Sequence, residues 1–140
     1  MSQHIHGTVV AFYRRGQWRG VLIRGRSGSG KSDLALRLMS MGAQLVVDDQ
    51  AFVWASGGHA YATAPKTIEG QMELRGIGIL PFSSLPVSRL WLVIDASGDE
   101  PERMPEQRLT HISGIPIPLL SLKLIHPSTP HLVAAALESL

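Results

Sequence analysis

No cysteine occurs in the 140 residues. That excludes disulfides and thiolate metal sites and fits a reducing, cytoplasmic compartment. Long apolar runs are missing too: none approaches the ~20 residues a membrane-spanning helix needs, so no membrane partner is expected. The start, Met1-Ser2-Gln3-His4, has neither the basic opening nor the apolar block of a secretory leader. Aromatic residues make up only 6% of the chain, and the C-terminal half has little basic character, so nucleic acid is not an expected partner either. Apart from His6 at the start of the first strand, the histidines, His4, His59, His111, His126 and His131, form no ligand pattern such as H-x-x-x-H, which argues against zinc. Carboxylates are absent from the first part of the chain: Arg14, Arg15, Arg19, Arg24, Arg26 and Lys31 all precede Asp33, the first acidic residue. Such one-sided charge marks either a solvated basic face or a site for an anion, phosphate being the simplest.

What is present describes a globular domain. An apolar share of 44% and a charged share of 17% are those of a chain that buries a core, and the length suits one domain, residues 1–140. His6–Tyr13 reads as a strand, Arg14–Gln17 as a turn and Gly20–Arg24 as a buried strand. Ser32–Met41 has helical spacing, with Leu34, Ala35, Leu38 and Met41 on one face and Gly42 as its stop. Strands are expected at Gln44–Val47, Ala51–Ala55, His59–Thr63, Met72–Leu80 and Leu90–Asp95, with residues 97–110 as a loop. Thr129 is placed to cap a last helix with Pro130 at its first position. The fold class is α/β: a single strand-rich domain with a phosphate loop between its second strand and its first helix.

That loop is Gly25-Arg26-Ser27-Gly28-Ser29-Gly30-Lys31-Ser32, a full match to G-x-x-x-x-G-K-[ST]. Glycines let successive backbone N–H groups turn inward on a phosphate, and the following helix adds the positive end of its dipole. The lysine reaches the β- and γ-phosphates and the serine hydroxyl ligates Mg²⁺. ATP and Mg²⁺ are therefore the expected ligands.

Phosphoryl transfer also needs a carboxylate near the metal and a group to receive the acceptor's proton. Two strands end in acid: Leu90-Trp91-Leu92-Val93-Ile94-Asp95 and Leu45-Val46-Val47-Asp48-Asp49. A generic phosphate-loop enzyme would use Asp95 on the metal side. Paired acids suggest proton transfer, because one can stay ionised while the other holds a proton more tightly. Composition does not choose between them. A third constellation, Glu73-Leu74-Arg75-Gly76-Ile77-Gly78-Ile79, sets a carboxylate and a guanidinium two residues apart, on one strand face, beside two glycines.

In this order, His6-Gly7, the loop Gly25–Ser32, Asp48-Asp49 and the stretch Glu73–Ile79 resemble the catalytic domain of the HPr kinase/phosphorylase family. The resemblance runs over nearly the whole chain, and the last stretch is its most specific element. It implies a phosphate-loop domain similar to the nucleotide-binding region of phosphoenolpyruvate carboxykinase, commonly a hexamer. The implied activity is an ATP- and Mg²⁺-dependent kinase for a serine of HPr, a phosphocarrier protein of the sugar phosphotransferase system. Many members also remove that phosphate by phosphorolysis. Carried over by position, Gly25–Ser32 and Asp33 bind nucleotide, and Lys31 is the phosphate lysine. Ser32 and Glu73 are metal ligands, and Asp48 and Asp49 the acid-base pair, with Asp49 favoured as proton acceptor. His6 is the active-site histidine, and Arg103 matches a later catalytic arginine. The chain departs from the family pattern in three ways: the usual N-terminal domain is not expected, Arg26 stands where Asp is common, and Leu122–Ser128 lacks the arginines associated with dephosphorylation. A kinase of a small molecule and a nucleotide sensor without turnover are the alternative readings.

Overall fold

The computed structural model describes residues 2–140, so only Met1 of the expected unit lies outside it. In chain order the elements are β1 (Gln3–His6), β2 (Thr8–Arg14), β3 (Gln17–Arg24), α1 (Lys31–Ser40), β4 (Gln44–Val47), β5 (Gln50–Ser56) and β6 (His59–Thr63). A short 3₁₀ turn (Lys66–Ile68) follows, then β7 (Gln71–Leu74), β8 (Gly78–Pro81), β9 (Val87–Ala96), β10 (Arg108–Ile112), β11 (Ile115–Leu122) and α2 (Thr129–Glu138). β3 pairs antiparallel with β2 and parallel with β9. β4 lies beyond β2, while β11 runs parallel to β9 with β10 outside it. The first residues of β9 pair instead with β6, from which β5 and β1 follow. β7 and β8 form a separate hairpin.

Alternation along the central strands builds the layers. Val10 and Phe12 of β2 and Val21 and Ile23 of β3 pack against Leu34, Ala35 and Leu38 of α1 and Val133 and Leu137 of α2. Their neighbours Val9, Ala11 and Leu22 face the opposite way, onto Val53, Ala60, Ala62, Ile112 and Ile117 of the outer strands. Successive strand residues point to opposite faces, so a sheet covered on both sides needs apolar residues at every position. Each fully buried leucine contributes about 2 kcal/mol over its exposed state.

Four expectations are corrected. The single strand over His6–Tyr13 is two strands broken at Gly7, where a Cβ would stand 2.7 Å from Leu22 Cδ1. The chain changes partner there, from β5 to β3. The strand over Met72–Leu80 is a hairpin that turns at Arg75-Gly76-Ile77, with Gly76 and Gly78 at positive φ. Arg75 therefore sits in the turn and does not share a strand face with Glu73. Residues 108–110, expected as loop, begin β10, and β11 carries Pro116 and Pro118. Those prolines pair only with β10, since β9 joins β11 from Leu119 onward; a strand flank with one partner tolerates the missing N–H. Finally, Ser128 rather than Thr129 is the N-cap of α2, because the Thr129 hydroxyl donates to the Lys123 carbonyl.

Packing at the centre allows a direct check. A Cβ on Gly20 would lie 2.5 Å from the Arg89 carbonyl oxygen, whereas one on Gly98 meets nothing within 4 Å. Gly20→Ala is expected to lose about 1–3 kcal/mol in chemical denaturation, and Gly98→Ala to stay within about 0.5 kcal/mol of the parent.

Candidate nucleotide and acid-base site

β3 ends at Arg24 and the chain leaves the sheet through the phosphate loop. Gly28 and Gly30 hold φ of 83° and 102°, a left-handed backbone open to residues without Cβ. At Gly25 a Cβ would stand 2.5 Å from Ser29 Oγ and 2.8 Å from Ala96 Cβ, so the loop closes only on glycine. Gly30 is the N-cap of α1 and gives it no side-chain cap, which leaves the first-turn N–H groups directed into the loop. Lys31 is 5% exposed, and its Nζ donates to the carbonyls of Gly25 and Arg26 at 3.0 Å each. The sequence therefore builds a glycine-lined cradle of a shape that suits a phosphate group.

Beside it, at the end of β4, the two acids have different surroundings. Asp48 is 7% exposed. Its Oδ1 accepts from the Ser32 hydroxyl at 2.7 Å and the Thr8 hydroxyl at 3.0 Å, and its Oδ2 from the Glu73 N–H at 3.3 Å. The Asp49 side chain is 50% exposed, with Oδ1 at 3.0 Å from His6 Nε2 and 3.9 Å from Lys31 Nζ. Its backbone is left-handed, φ 71°, a region that Asp tolerates better than most residues. Three hydrogen bonds hold that turn: Asp49 N–H to Thr8 Oγ1 at 3.1 Å, Gly7 N–H to the Asp49 carbonyl at 2.8 Å, and Gln50 N–H to the Asp48 carbonyl at 2.9 Å.

The β7–β8 hairpin forms the facing wall. Together these elements line a cleft of about 550 Å³ that includes Ser27, Gly28, Lys31, Ser32, Asp48, Asp49, Glu73 and Arg75. Asp33 lines it as well, as do the apolar side chains of Leu36 and Ile77. Arg26 offers its backbone carbonyl to Lys31 and does not line the cleft. The residues outside the cleft are equally informative. Asp95 is held by Arg24 through two bonds, Nε to Oδ1 at 2.7 Å and Nη2 to Oδ2 at 3.0 Å. Arg103 is exposed on the loop between β9 and β10 and does not reach the cleft. Glu100, on that same loop, accepts from the ammonium of Lys123 just beyond β11, which holds the Glu100 carboxyl below its usual range.

Both expected ligands fit these residues. Positive φ at Gly28 and Gly30 gives the concave run of N–H groups a polyphosphate needs. Ser32 and Glu73 offer hard oxygen donors suited to Mg²⁺. Among the described residues no cluster of three or more His, Cys, Asp or Glu is arranged to hold a metal by itself, and Mg²⁺ asks for less, since it keeps water and phosphate in its shell. Sequence reasoning missed Thr8. It is fully buried, donates to Asp48 and accepts from the Asp49 N–H, so it sets both acids at once. The only sequence signal was a hydroxyl among the apolar residues of β2.

The family model for the HPr serine kinase C-terminal domain matches residues 1–86, which hold the phosphate loop, both acids and the hairpin. The HPr kinase/phosphorylase of Geobacillus thermodenitrificans is 34% identical over 131 residues, covering 84% of this chain and 41% of the relative. That of Exiguobacterium sibiricum is 43% identical over 82 residues, covering 58% and 25%. The chain thus spans a quarter to two fifths of the length of these curated relatives. The solved structure of the Hpr(Ser) kinase/phosphatase from Coxiella burnetii superposes with a TM-score of 0.80 at 27% identity, over 98% of this chain and 89% of that one. No helix among the described residues is long and apolar enough to cross a membrane. A phosphate loop tied by Ser32 to the first of two acids, in a fold and sequence shared with these proteins, places the chain in the HPr serine kinase C-terminal domain family.

Proposed function

We propose that this chain is an ATP- and Mg²⁺-dependent kinase that phosphorylates a serine of an HPr-like phosphocarrier protein. The observation that carries this reading is the meeting of phosphate loop and acid pair in one cleft, with Ser32 bonded to Asp48 and Lys31 beside Asp49. The names of the relatives support the acceptor.

The residues divide the work. Asp48 has both oxygens engaged and holds Ser32 in place. Asp49, half exposed, takes the proton of the acceptor hydroxyl as its oxygen attacks the terminal phosphorus. His6, at 3.0 Å, orients that carboxylate. Lys31 and the loop N–H groups offset charge on the phosphoryl group as its bond to the leaving diphosphate breaks. Mg²⁺ at Ser32 and Glu73 would supply further positive charge at the same phosphates. Asp95 has no part in this scheme, being paired with Arg24. Assembly into homo-oligomers belongs to the same reading, and Leu132, 45% exposed on α2, is part of the apolar surface it would use.

Phosphorolysis is expected to be weak. It must bring inorganic phosphate against a phosphoserine, and fixed cations, arginine above all, offset that repulsion. Leu122–Ser128, which abuts the phosphate loop where inorganic phosphate would sit, carries no arginine, and its Lys123 is paired with Glu100.

Two assays test the reading. With labelled ATP and an HPr-like protein, Lys31→Ala is expected to lose about 10²-fold or more in transfer rate while remaining folded, and Asp95→Asn to keep most of its activity. Full transfer by Lys31→Ala, or a severe defect confined to Asp95→Asn, would overturn the assignment. With serine-phosphorylated HPr, millimolar phosphate and Mg²⁺, pyrophosphate release is expected to be far slower than forward transfer; comparable rates would show that the arginines are dispensable.

A further inference from the structure

We propose that the loop Lys123–Ser128 is the platform for the nucleobase, with the exposed Ile125 as its apolar contact. The proposal rests on the nucleotide reading above and adds where the far end of that ligand lies. β3, β9 and β11 run parallel, so their C-terminal ends share one edge of the sheet, the edge where open α/β sheets gather ligands. The strand order β11-β9-β3-β2-β4 sets the loop after β11 and the acids after β4 on opposite sides of Gly25–Ser32. A nucleotide whose phosphates fill the loop must turn its reacting end toward Asp49. Its base then leads the other way, toward β11.

The surface on that side is built for a flat apolar group. Ile125 is 74% exposed, yet its Cγ2 lies 3.1 Å from where a Gly30 Cβ would stand, so it abuts the phosphate loop directly. Its backbone is pinned on several sides. The Arg37 guanidinium donates to the carbonyls of Leu124 and His126 while pairing with Asp33. The Thr129 hydroxyl donates to the Lys123 carbonyl, and Ser128 N–H to His126 Nδ1 at 3.1 Å. Ser97 N–H ties the end of β11 to the end of β9 at 2.9 Å. A pinned backbone that holds an isoleucine in water loses little further entropy when a base covers it. Residues 125–128 carry no carboxylate to repel the nearby phosphates. Ile77, also exposed, lies across the cleft on the hairpin that carries Glu73.

Calorimetric titration with ADP and with base-free pyrophosphate, both with Mg²⁺, separates base from phosphate. Ile125→Ser is expected to weaken ADP about five- to tenfold and to leave pyrophosphate unchanged. Ile125→Val should hold ADP affinity within about twofold. An Ile125→Ser variant that keeps its ADP affinity, or that loses both ligands equally, overturns the platform. So does a parent protein that binds ADP no tighter than pyrophosphate, although the phosphate site would then stand. If the parent binds neither ligand, the nucleotide reading falls with it.

Discussion

Three donors from three separate elements converge on one buried carboxylate, Asp48. They are the Thr8 hydroxyl at the start of β2, the Ser32 hydroxyl in the first turn of α1 and the Glu73 N–H on β7. Taking a carboxylate out of water is expensive, and only several good donors offset the cost. Each bond to an ionised acceptor is worth roughly 1.5–3 kcal/mol. The consequence is positional. Phosphate loop, acid turn and hairpin wall come from separate elements; through Asp48 they share a reference point.

Asp49 depends on that arrangement. Its left-handed backbone is held by Thr8 and Gly7, and strain of this kind persists where surrounding bonds over-determine it. The adjacent acids are thereby separated in environment. One is buried and saturated with donors; the other stands half exposed between His6 and Lys31. On the other flank of the loop, the two-bonded Arg24–Asp95 pair fixes the end of β3 to the end of β9. The loop is thus braced from both sides, and the acid that a generic phosphate-loop scheme would recruit is already engaged.

Much of this was legible in the sequence. The phosphate loop declared itself because its glycines, lysine and serine stand at fixed spacing for a local reason, and the helix after it followed from period and stop signal. Strands β3 to β6 were legible for the same reason. Long-range choices were not. Nothing in Leu90–Asp95 reveals that Asp95 meets Arg24, because that pairing exists only once β3 and β9 lie side by side. Gly7 and Gly76 looked like residues within strands, and in the fold they are a change of sheet partner and a turn. The β10–β11 hairpin was hidden by Pro116 and Pro118, which argue against a strand until the one-sided pairing is known. Thr8 was invisible as a functional residue, since its role lies in two contacts some forty residues away in sequence.

In the proposed scheme Asp48 organises the site and Asp49 takes the proton of the acceptor hydroxyl. Measuring denaturant stability and phosphotransfer rate together for Asp48→Ala and Asp49→Asn tests it most directly. Asp48→Ala should lose about 1–3 kcal/mol of stability for its orphaned donors. Asp49→Asn, with a residue that accepts the same left-handed backbone, should stay within about 0.5 kcal/mol and lose transfer by about 10²-fold or more. Near-normal transfer by Asp49→Asn, or an Asp48→Ala protein as stable as its parent, would contradict the account.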